Sequence, residues 1–173
     1  MPEFIPILNK ADIKQKITDI SNQISKDYQD HRLILIGVLK GAFIFLADLA
    51  RQLTIEKVQI DFIGASSYGT KTSSSGAIRL TKDIDLNIKG MDVLLIEDIV
   101  DSGITLSFLI NHLKKFEPRS VKICTLVDKK ERREKDIRVD YACHVIEKGF
   151  VVGYGLDYAE DYRNLPGLYD LRI

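Results

Sequence analysis

Residues 93–105 read Val-Leu-Leu-Ile-Glu-Asp-Ile-Val-Asp-Ser-Gly-Ile-Thr, and this stretch predicts the fold and the site together. Its four apolar residues, 93–96, are enough for a buried strand and too few for a helix. The carboxylates Glu97 and Asp98 follow directly, and Asp101 opens a turn of small residues that leads into a helical pattern. We therefore expect the acids and the turn at the carboxyl end of a strand, the edge where open α/β sheets bind ligands.

The turn after Asp101 is suited to a phosphate group. A helix start offers unpaired N–H groups and positive partial charge. Ser102 and Thr105 add hydroxyl donors, and Gly103 lets the backbone come close. Two carboxylates can bind ribose hydroxyls or a hydrated Mg²⁺. We interpret the stretch as a ribose-5-phosphate cradle, although a receiver-type domain, a magnesium phosphatase or a helix N-terminus with stabilising charge could also show an acidic pair after a strand.

Composition restricts the class of protein. The chain has 173 residues, 45% hydrophobic and 29% charged, which fits one globular domain. Lys+Arg and Asp+Glu both number 25, so nothing suggests a nucleic acid or a membrane surface as a partner. The first residues lack the pattern of a signal peptide, so a cytoplasmic location is expected. Cys124 and Cys143 are expected to be reduced, buried thiols, and the histidines show no zinc spacing.

Strand and helix patterns alternate along the rest of the chain. Apolar spacing predicts helices near residues 11–24, 41–52 and 106–113, and strands near 32–37, 58–62, 78–84, 93–96, 121–127 and 139–146. This alternation favours an α/β fold with a mainly parallel sheet flanked by helices. The polar segment 66–76 is expected to be a lid or a disordered tip.

Five segments resemble the type I phosphoribosyltransferases. Residues 96–105, Ile-Glu-Asp-Ile-Val-Asp-Ser-Gly-Ile-Thr, resemble their phosphoribosyl pyrophosphate motif. The other segments resemble those of the hypoxanthine-guanine phosphoribosyltransferases and follow the family order from about Gly37 to Pro166. They are the pyrophosphate loop (38–43), the catalytic lid (66–69), the base-recognition segment (127–130) and the tail (150–158 and 162–166).

The resemblance implies a fold and a reaction. The fold is the type I phosphoribosyltransferase fold, one domain over residues 1–173 with a core at about 30–150. A small hood comes from the N-terminal segment and about 150–173, and a mobile lid spans about 65–80. The enzyme transfers the 5-phosphoribosyl group from phosphoribosyl pyrophosphate to N9 of hypoxanthine or guanine, with Mg²⁺, in purine salvage. Its products are IMP or GMP and pyrophosphate, and the family forms homodimers or homotetramers.

The resemblance also implies roles for residues. Asp101 is the general base that takes the N7 proton, although an Asp there could instead cap the following helix. Lys129 donates to O6 of a purine, although it could belong to the solvated charged stretch 128–138. Phe150 stacks on the base, with a core aromatic as the alternative. The remaining implied site residues are Asp101, Ser102, Gly103, Ile104 and Thr105 for the 5′-phosphate; Glu97 and Asp98 for ribose and metal; Val151 and Asp157 for the purine, Asp157 also for metal; Lys40, Gly41 and Arg163 for pyrophosphate; and Ser66, Ser67, Tyr68 and Gly69 for the lid.

Two other functions fit the same motifs. A xanthine-preferring phosphoribosyltransferase would share nearly all of them. A nucleotide-sensing regulator that binds RNA would keep the ribose-phosphate cradle, but it would need a basic face, and a net charge of zero argues against one. The family also implies an unusual peptide bond in the pyrophosphate loop, which makes a cis bond at Leu39-Lys40 a hypothesis.

Overall fold

Strands and helices alternate through most of the chain. The computed structural model describes residues 1–67 and 77–173. No helix in these ranges is both long and apolar enough to cross a membrane. In chain order the elements are β1 (Glu3–Leu8), α1 (Lys10–Asp27), β2 (Leu33–Leu39), α2 (Phe43–Gln52), β3 (Val58–Ser67), β4 (Ile78–Lys82), β5 (Asp92–Val100), α3 (Ile104–Lys114), β6 (Ser120–Lys129), β7 (Tyr141–Ile146), β8 (Val151–Val152) and β9 (Leu168–Arg172).

The main sheet has the strand order β4-β3-β2-β5-β6-β7. Strand β2 runs parallel to both β3 and β5, and β6 runs parallel to both β5 and β7. Strand β4 pairs antiparallel with β3 at one edge. The predicted α/β fold with a mainly parallel sheet is therefore confirmed.

Both faces of the sheet are covered, which explains the uninterrupted apolar run in β5. Leu94 and Ile96 pack on the side of α1 and α2, in one core cluster with Phe45. Val93 and Leu95 pack on the opposite side, in a second cluster with residues of α3. Since consecutive strand residues point to opposite faces, a strand buried on both faces needs apolar residues at every position.

Strand β5 is longer than the apolar run predicts. Its parallel pairing with β6 continues to Val100, opposite Asp128, so Glu97 and Asp98 lie within the strand and not after it. The alternation of faces is interrupted at the two acids, because Ile99 packs in the same cluster as Ile96. A strictly regular strand would place residues three apart on opposite faces. The interruption allows two adjacent carboxylates to line one cavity.

The chain ends form a second, three-stranded sheet. Strand β9 lies in its centre, with β1 and β8 antiparallel on either side. Pro6 is tolerated because β1 is an edge strand, where a missing N–H need not break a ladder. The segment between β8 and β9 contacts the turn that follows β2, since a Cβ on Gly155 would lie 2.1 Å from the carbonyl oxygen of Gly41. The bounds of the hood stay a prediction.

The two cysteines are free and buried, as the sequence predicts. Burial raises the pKa of the Cys124 thiol well above its ordinary value and that of Cys143 to about 12. Because the thiolate is the reactive form, both side chains act as small apolar residues of the core.

Candidate active site

The candidate site lies where the strand order of the main sheet reverses. From β2 the chain crosses to β3 on one side, whereas from β5 it continues to β6 on the other. In doubly wound sheets the loops diverge at such a point and leave a crevice at the carboxyl ends of the strands. Lys40 follows β2, Asp101 follows β5, and Lys129 ends β6, so three adjacent strand ends supply this crevice.

Two adjoining cavities occupy the crevice. The larger, of about 290 Å³, is lined by the predicted pyrophosphate, ribose and phosphate residues. The smaller, of about 160 Å³, is lined by the predicted purine residues together with Arg132 and Leu156. A common wall separates them. It consists of Asp98, Ile99, Asp101 and Asp157.

Glu97 is buried and Asp98 is half-buried, and the surroundings of both carboxyl groups disfavour charge. Desolvation by burial, reinforced by the neighbouring Asp98, raises the pKa of Glu97 well above its ordinary value. Burial also raises the pKa of Asp98. Each carboxylate accepts one backbone N–H, from Asp98 at 3.0 Å and from Ile99 at 2.7 Å. Such a pair favours partners that donate hydrogen bonds or carry positive charge. Ribose hydroxyls and a hydrated cation are both partners of this kind.

The turn after β5 has the backbone of an anion site. Gly103 is the N-cap of α3 and has φ +82°, a left-handed conformation that favours glycine. The N-cap position is held by Gly103, and Asp101 makes no capping bond to the helix, so the alternative role of Asp101 as a cap is wrong. The first N–H groups of a helix have no intrahelical acceptor. Ser102 Oγ accepts the Ile104 N–H at 3.3 Å, and the Ser102 carbonyl accepts the amides of Glu134 and Lys135.

Lys129 and Asp101 lie side by side in the lining of the smaller cavity. Lys129 is only 5% exposed, so its assignment to the solvated charged stretch is wrong. Its ammonium lies 3.6 Å from Asp101 Oδ2 and 4.0 Å from a Glu131 carboxylate oxygen. The second oxygen of Asp101, Oδ1, is buried and has no hydrogen-bond partner among the described residues. A buried, unpartnered acceptor beside a cavity is an observation that a ligand would explain.

Arg133 holds this side of the site together and was not singled out by the sequence. Its guanidinium donates to the carbonyls of Val100, Asp101 and Lys129, and to the Asp128 carboxylate at 2.5 Å. One side chain thus ties the phosphate turn to the end of β6. In the sequence it stands among four other charged residues, 131–135, with nothing to distinguish it.

The turn after β2 is closely packed from two sides. A Cβ on Gly41 would lie 1.7 Å from Asp98 Oδ2, and the Gly41 carbonyl touches Gly155 on the other side. Gly155 has φ +105°, which few other residues adopt. The hypothesis of a cis peptide at Leu39-Lys40 is confirmed.

An ion-pair network joins the turn after β2 to the tail. The Glu160 carboxylate accepts from Lys40 Nζ at 2.6 Å and from Arg163 Nη2 at 3.2 Å. Arg163 also donates to the Gly155 carbonyl at 2.7 Å and lies 3.0 Å from Asp157 Oδ1. Its Nε atom is buried without a hydrogen-bond partner in the described structure. The Lys40 ammonium holds the pKa of Glu160 below its ordinary value.

Phe150 lies at the mouth of the smaller cavity. It is 47% exposed, so the alternative of a core aromatic is wrong. Its ring meets Tyr158 edge to face, with centroids 5.6 Å apart. The ring therefore has a free surface beside the cavity, and the adjacent Val151 is buried in β8.

The predicted lid is only partly described. Ser66 and Ser67 end β3, where they pair with Arg79 and Ile78 of β4. Their neighbour Ala65 lines the larger cavity. Tyr68 and Gly69 lie outside the described residues, so the lid stays a prediction.

Comparison with known proteins decides the family. Residues 6–159 match the model of the phosphoribosyl transferase domain. The chain is 44% identical to the hypoxanthine-guanine phosphoribosyltransferase of Bacillus subtilis over 160 residues, which is 92% of this chain and 88% of that protein. The chain belongs to the phosphoribosyltransferase family. The Escherichia coli hypoxanthine phosphoribosyltransferase is also 44% identical, over 92% of this chain and 90% of its own. The crystal structure of a hypoxanthine-guanine phosphoribosyltransferase from Bacillus anthracis matches with a TM-score of 0.92, at 41% identity and over 100% of both chains.

The phosphoribosyltransferase motifs converge in three dimensions. Of the described residues predicted for the site, all line one of the two cavities except Ile104, Ser66 and Ser67. Ile104 sits at the start of α3, where its backbone and not its side chain would serve a phosphate. The predicted metal ligands Glu97, Asp98 and Asp157 do not form a complete set, since no three acidic, His or Cys side chains in the described parts of this phosphoribosyltransferase are arranged to hold a metal ion.

Proposed function

We propose that this chain is a hypoxanthine-guanine phosphoribosyltransferase of purine salvage. It would convert hypoxanthine or guanine and phosphoribosyl pyrophosphate into IMP or GMP and pyrophosphate. The observation that carries the proposal is the pair of cavities with a common wall. One has the donors for a phosphorylated sugar, the other has a buried ammonium for a 6-oxopurine, and Asp101 stands between them.

The larger cavity would hold the activated sugar. The 5′-phosphate would bind the amides and hydroxyls of residues 101–105, at the start of α3. Glu97 and Asp98 would accept hydrogen bonds from the ribose hydroxyls. Lys40 and Arg163 would hold the pyrophosphate, for which the guanidinium offers a planar fork of donors. Negative charge near the sugar would also favour the oxocarbenium character that develops at C1.

The smaller cavity would select the base. An ammonium can only donate, so Lys129 would pair with O6 of hypoxanthine or guanine. Adenine presents an amine at this position, which would leave two donors facing each other in a buried place. Phe150 would stack on the ring, and the Val151 backbone would meet its edge.

The chemistry needs one proton acceptor. As N9 of the base forms its bond to C1 of the sugar, the bond from C1 to the pyrophosphate oxygen breaks, and the proton leaves N7. Asp101 Oδ1, buried and unpartnered, is the acceptor that the geometry offers, while Oδ2 faces Lys129. Pyrophosphate leaves with the electron pair of the broken C1–O bond, and the positive charges of Lys40 and Arg163 would stabilise the negative charge that it gains.

The donor set fits Mg²⁺ held jointly by protein and substrate. Mg²⁺ keeps several waters and is usually bound by one or two carboxylates together with substrate phosphates. Glu97 and Asp98 would supply such carboxylates, and Asp157, which also lines the larger cavity, would supply another. When bound, the ion would neutralise charge on the pyrophosphate.

Base preference tests the proposal. The protein is mixed with phosphoribosyl pyrophosphate and Mg²⁺, then offered hypoxanthine, guanine, xanthine or adenine, and nucleotide is separated by chromatography. We expect nucleotide from hypoxanthine and guanine, none when EDTA is added, and little from adenine. Nucleotide from xanthine in preference would favour the xanthine enzyme, and no nucleotide from any base would leave a binding function. Neither alternative is favoured, since the named relatives are hypoxanthine or hypoxanthine-guanine phosphoribosyltransferases.

A homodimer or homotetramer in the cytoplasm belongs to the same proposal. Leu39 and Phe43 are exposed apolar residues on either side of Lys40 and Gly41, which makes this turn a candidate contact between subunits. Light scattering after gel filtration should give the mass of two or four chains. A mass of one chain at micromolar concentration would contradict it.

A further inference from the structure

The Glu160 carboxylate lies between the two cations that the proposed function assigns to pyrophosphate. One of its oxygens accepts from Lys40 Nζ at 2.6 Å, and the other accepts from Arg163 Nη2 at 3.2 Å. Each oxygen thus serves one cation, as the oxygens of a diphosphate would. The carboxylate bridges two residues that lie more than 120 positions apart in the chain.

Both Nη atoms of Arg163 are already engaged when Glu160 is in place, and its remaining donor, Nε, is buried. Nη1 donates to the Gly155 carbonyl, and Nη2 faces both Asp157 and Glu160. A pyrophosphate that binds the outer edge of the guanidinium must therefore replace Glu160. If the carboxylate stayed, it would also repel the negative charge of the incoming group.

The contact is built so that it can open. Lys40 and Glu160 are 66% and 63% exposed, and an exposed ion pair contributes little to stability. The loop that carries Glu160 contains three non-glycine residues in the left-handed region, Ala159, Glu160 and Tyr162, with φ of +51°, +72° and +77°. Left-handed backbone conformations cost free energy in residues other than glycine, and they persist only where the surrounding structure holds them. Leaving the cations would thus cost Glu160 little.

The position of Glu160 is also connected to Asp157. The Glu160 N–H donates to Asp157 Oδ2 at 2.8 Å, and Asp157 belongs to the wall between the two cavities. A backbone movement at Glu160 would therefore reach a carboxylate that lines both cavities.

We infer that Glu160 is an internal competitor of pyrophosphate. It occupies Lys40 and Arg163 in the empty enzyme, leaves them when phosphoribosyl pyrophosphate binds, and returns as the product pyrophosphate departs. Glu160 thereby weakens the binding of product and shortens its stay. The inference rests on the proposed function for the name of the substrate, but the competition for the two cations can be measured without turnover.

Titration calorimetry with pyrophosphate and Mg²⁺ tests the inference on the full chain. Glu160→Gln and Glu160→Ala both remove the negative charge. Glu160→Ala also removes the side-chain atoms that extend to Lys40 and Arg163. The matched control is Asp161→Asn, the same charge change at an exposed neighbour. We expect pyrophosphate to bind the two Glu160 variants about three to ten times more tightly than wild type, which lies within the range for two ion pairs made by an exposed carboxylate. The control should stay within about twofold.

Steady-state kinetics give the second measurement. In the Glu160 variants the KM for phosphoribosyl pyrophosphate and the inhibition constant of pyrophosphate should both fall, whereas the KM for hypoxanthine should not change. Equal tightening in Asp161→Asn would reveal a general charge effect and overturn the inference, and so would unchanged or weaker binding in both Glu160 variants. A chain that makes no nucleotide but shows the calorimetric shift would refute the proposed function and leave the competition intact.

Discussion

Replacement of Gly41 by alanine should disturb the site without altering any group assigned to chemistry. An ideal Cβ on Gly41 would lie 1.7 Å from Asp98 Oδ2 and 2.6 Å from its Cγ. The two atoms must separate by roughly 1.7 Å or more to reach ordinary contact. The backbone of Gly41 cannot retreat easily, because its carbonyl oxygen is packed against Gly155. The Asp98 carboxylate is therefore the group that must move.

The expected size of the effect follows from this displacement. Overpacking of a dense interior costs about 1–3 kcal/mol. For a chain of this length each kcal/mol lowers the Tm by about 2–4 °C, so a loss of about 2–12 °C is expected. A misplacement of about 1 Å at a catalytic centre can cost about 100-fold in rate, so kcat/KM for phosphoribosyl pyrophosphate should fall by about that factor.

Two controls separate this mechanism from a general loss of fold. Gly90→Ala imposes a strained φ of +68° with no atom within 4 Å, so it should lower the Tm modestly and leave kcat/KM unchanged. In an Asp98→Ala background the clashing oxygen is absent, so Gly41→Ala should cost less than half of its original loss in Tm. Wild-type kcat/KM in Gly41→Ala, or the same loss of Tm in both backgrounds, would refute the reasoning.

Three other substitutions have defined outcomes. Asp101→Asn should lower kcat by about 10²–10⁴ while calorimetry shows nearly unchanged binding of phosphoribosyl pyrophosphate, and near-normal kcat would remove Asp101 from the role of base. Lys129→Met should lower kcat/KM for hypoxanthine by about 10- to 100-fold and narrow the preference over adenine, and an unchanged preference would show that the ammonium does not read the base. Because burial raises the pKa of Glu97, its contribution to stability is complete below its ordinary pKa and is lost as the pH rises through the raised one. Glu97→Gln cannot ionise, so in EDTA its Tm should gain on wild type as the pH rises above the ordinary carboxyl value of 4.5, and a constant difference would contradict the cause.

Local pattern was sufficient for the central part of the fold. Apolar runs and helical spacing predicted the alternation of strands and helices, and the turn after β5 was placed correctly. The length of β5 was not, since an apolar run marks only the part of a strand that is covered on both faces. Beyond Ile96 one side of the strand faces the cavity. Glu97 and Asp98 can therefore line the cavity while the backbone of β5 continues to pair with β6.

Local pattern did not pair distant parts of the chain, and only the family resemblance brought the two ends together in a hood. Strands β1 and β9 pair although they stand at opposite ends, and neither has a pattern that names its partner. Arg133 and Glu160 are ordinary charged residues in the sequence. Their importance comes from the groups around them: four acceptors for Arg133, and two cations for Glu160.

The shared wall between the cavities gives the protein a modular architecture for evolution. The sugar side draws chiefly on residues before α3, whereas the base side draws on residues after it. Substitutions around Lys129, Arg132 and Phe150 can therefore change which heterocyclic base is bound, while the binding site for the activated sugar stays the same. Paralogues that diverged in this way would differ in the second half of the chain and stay alike in the first.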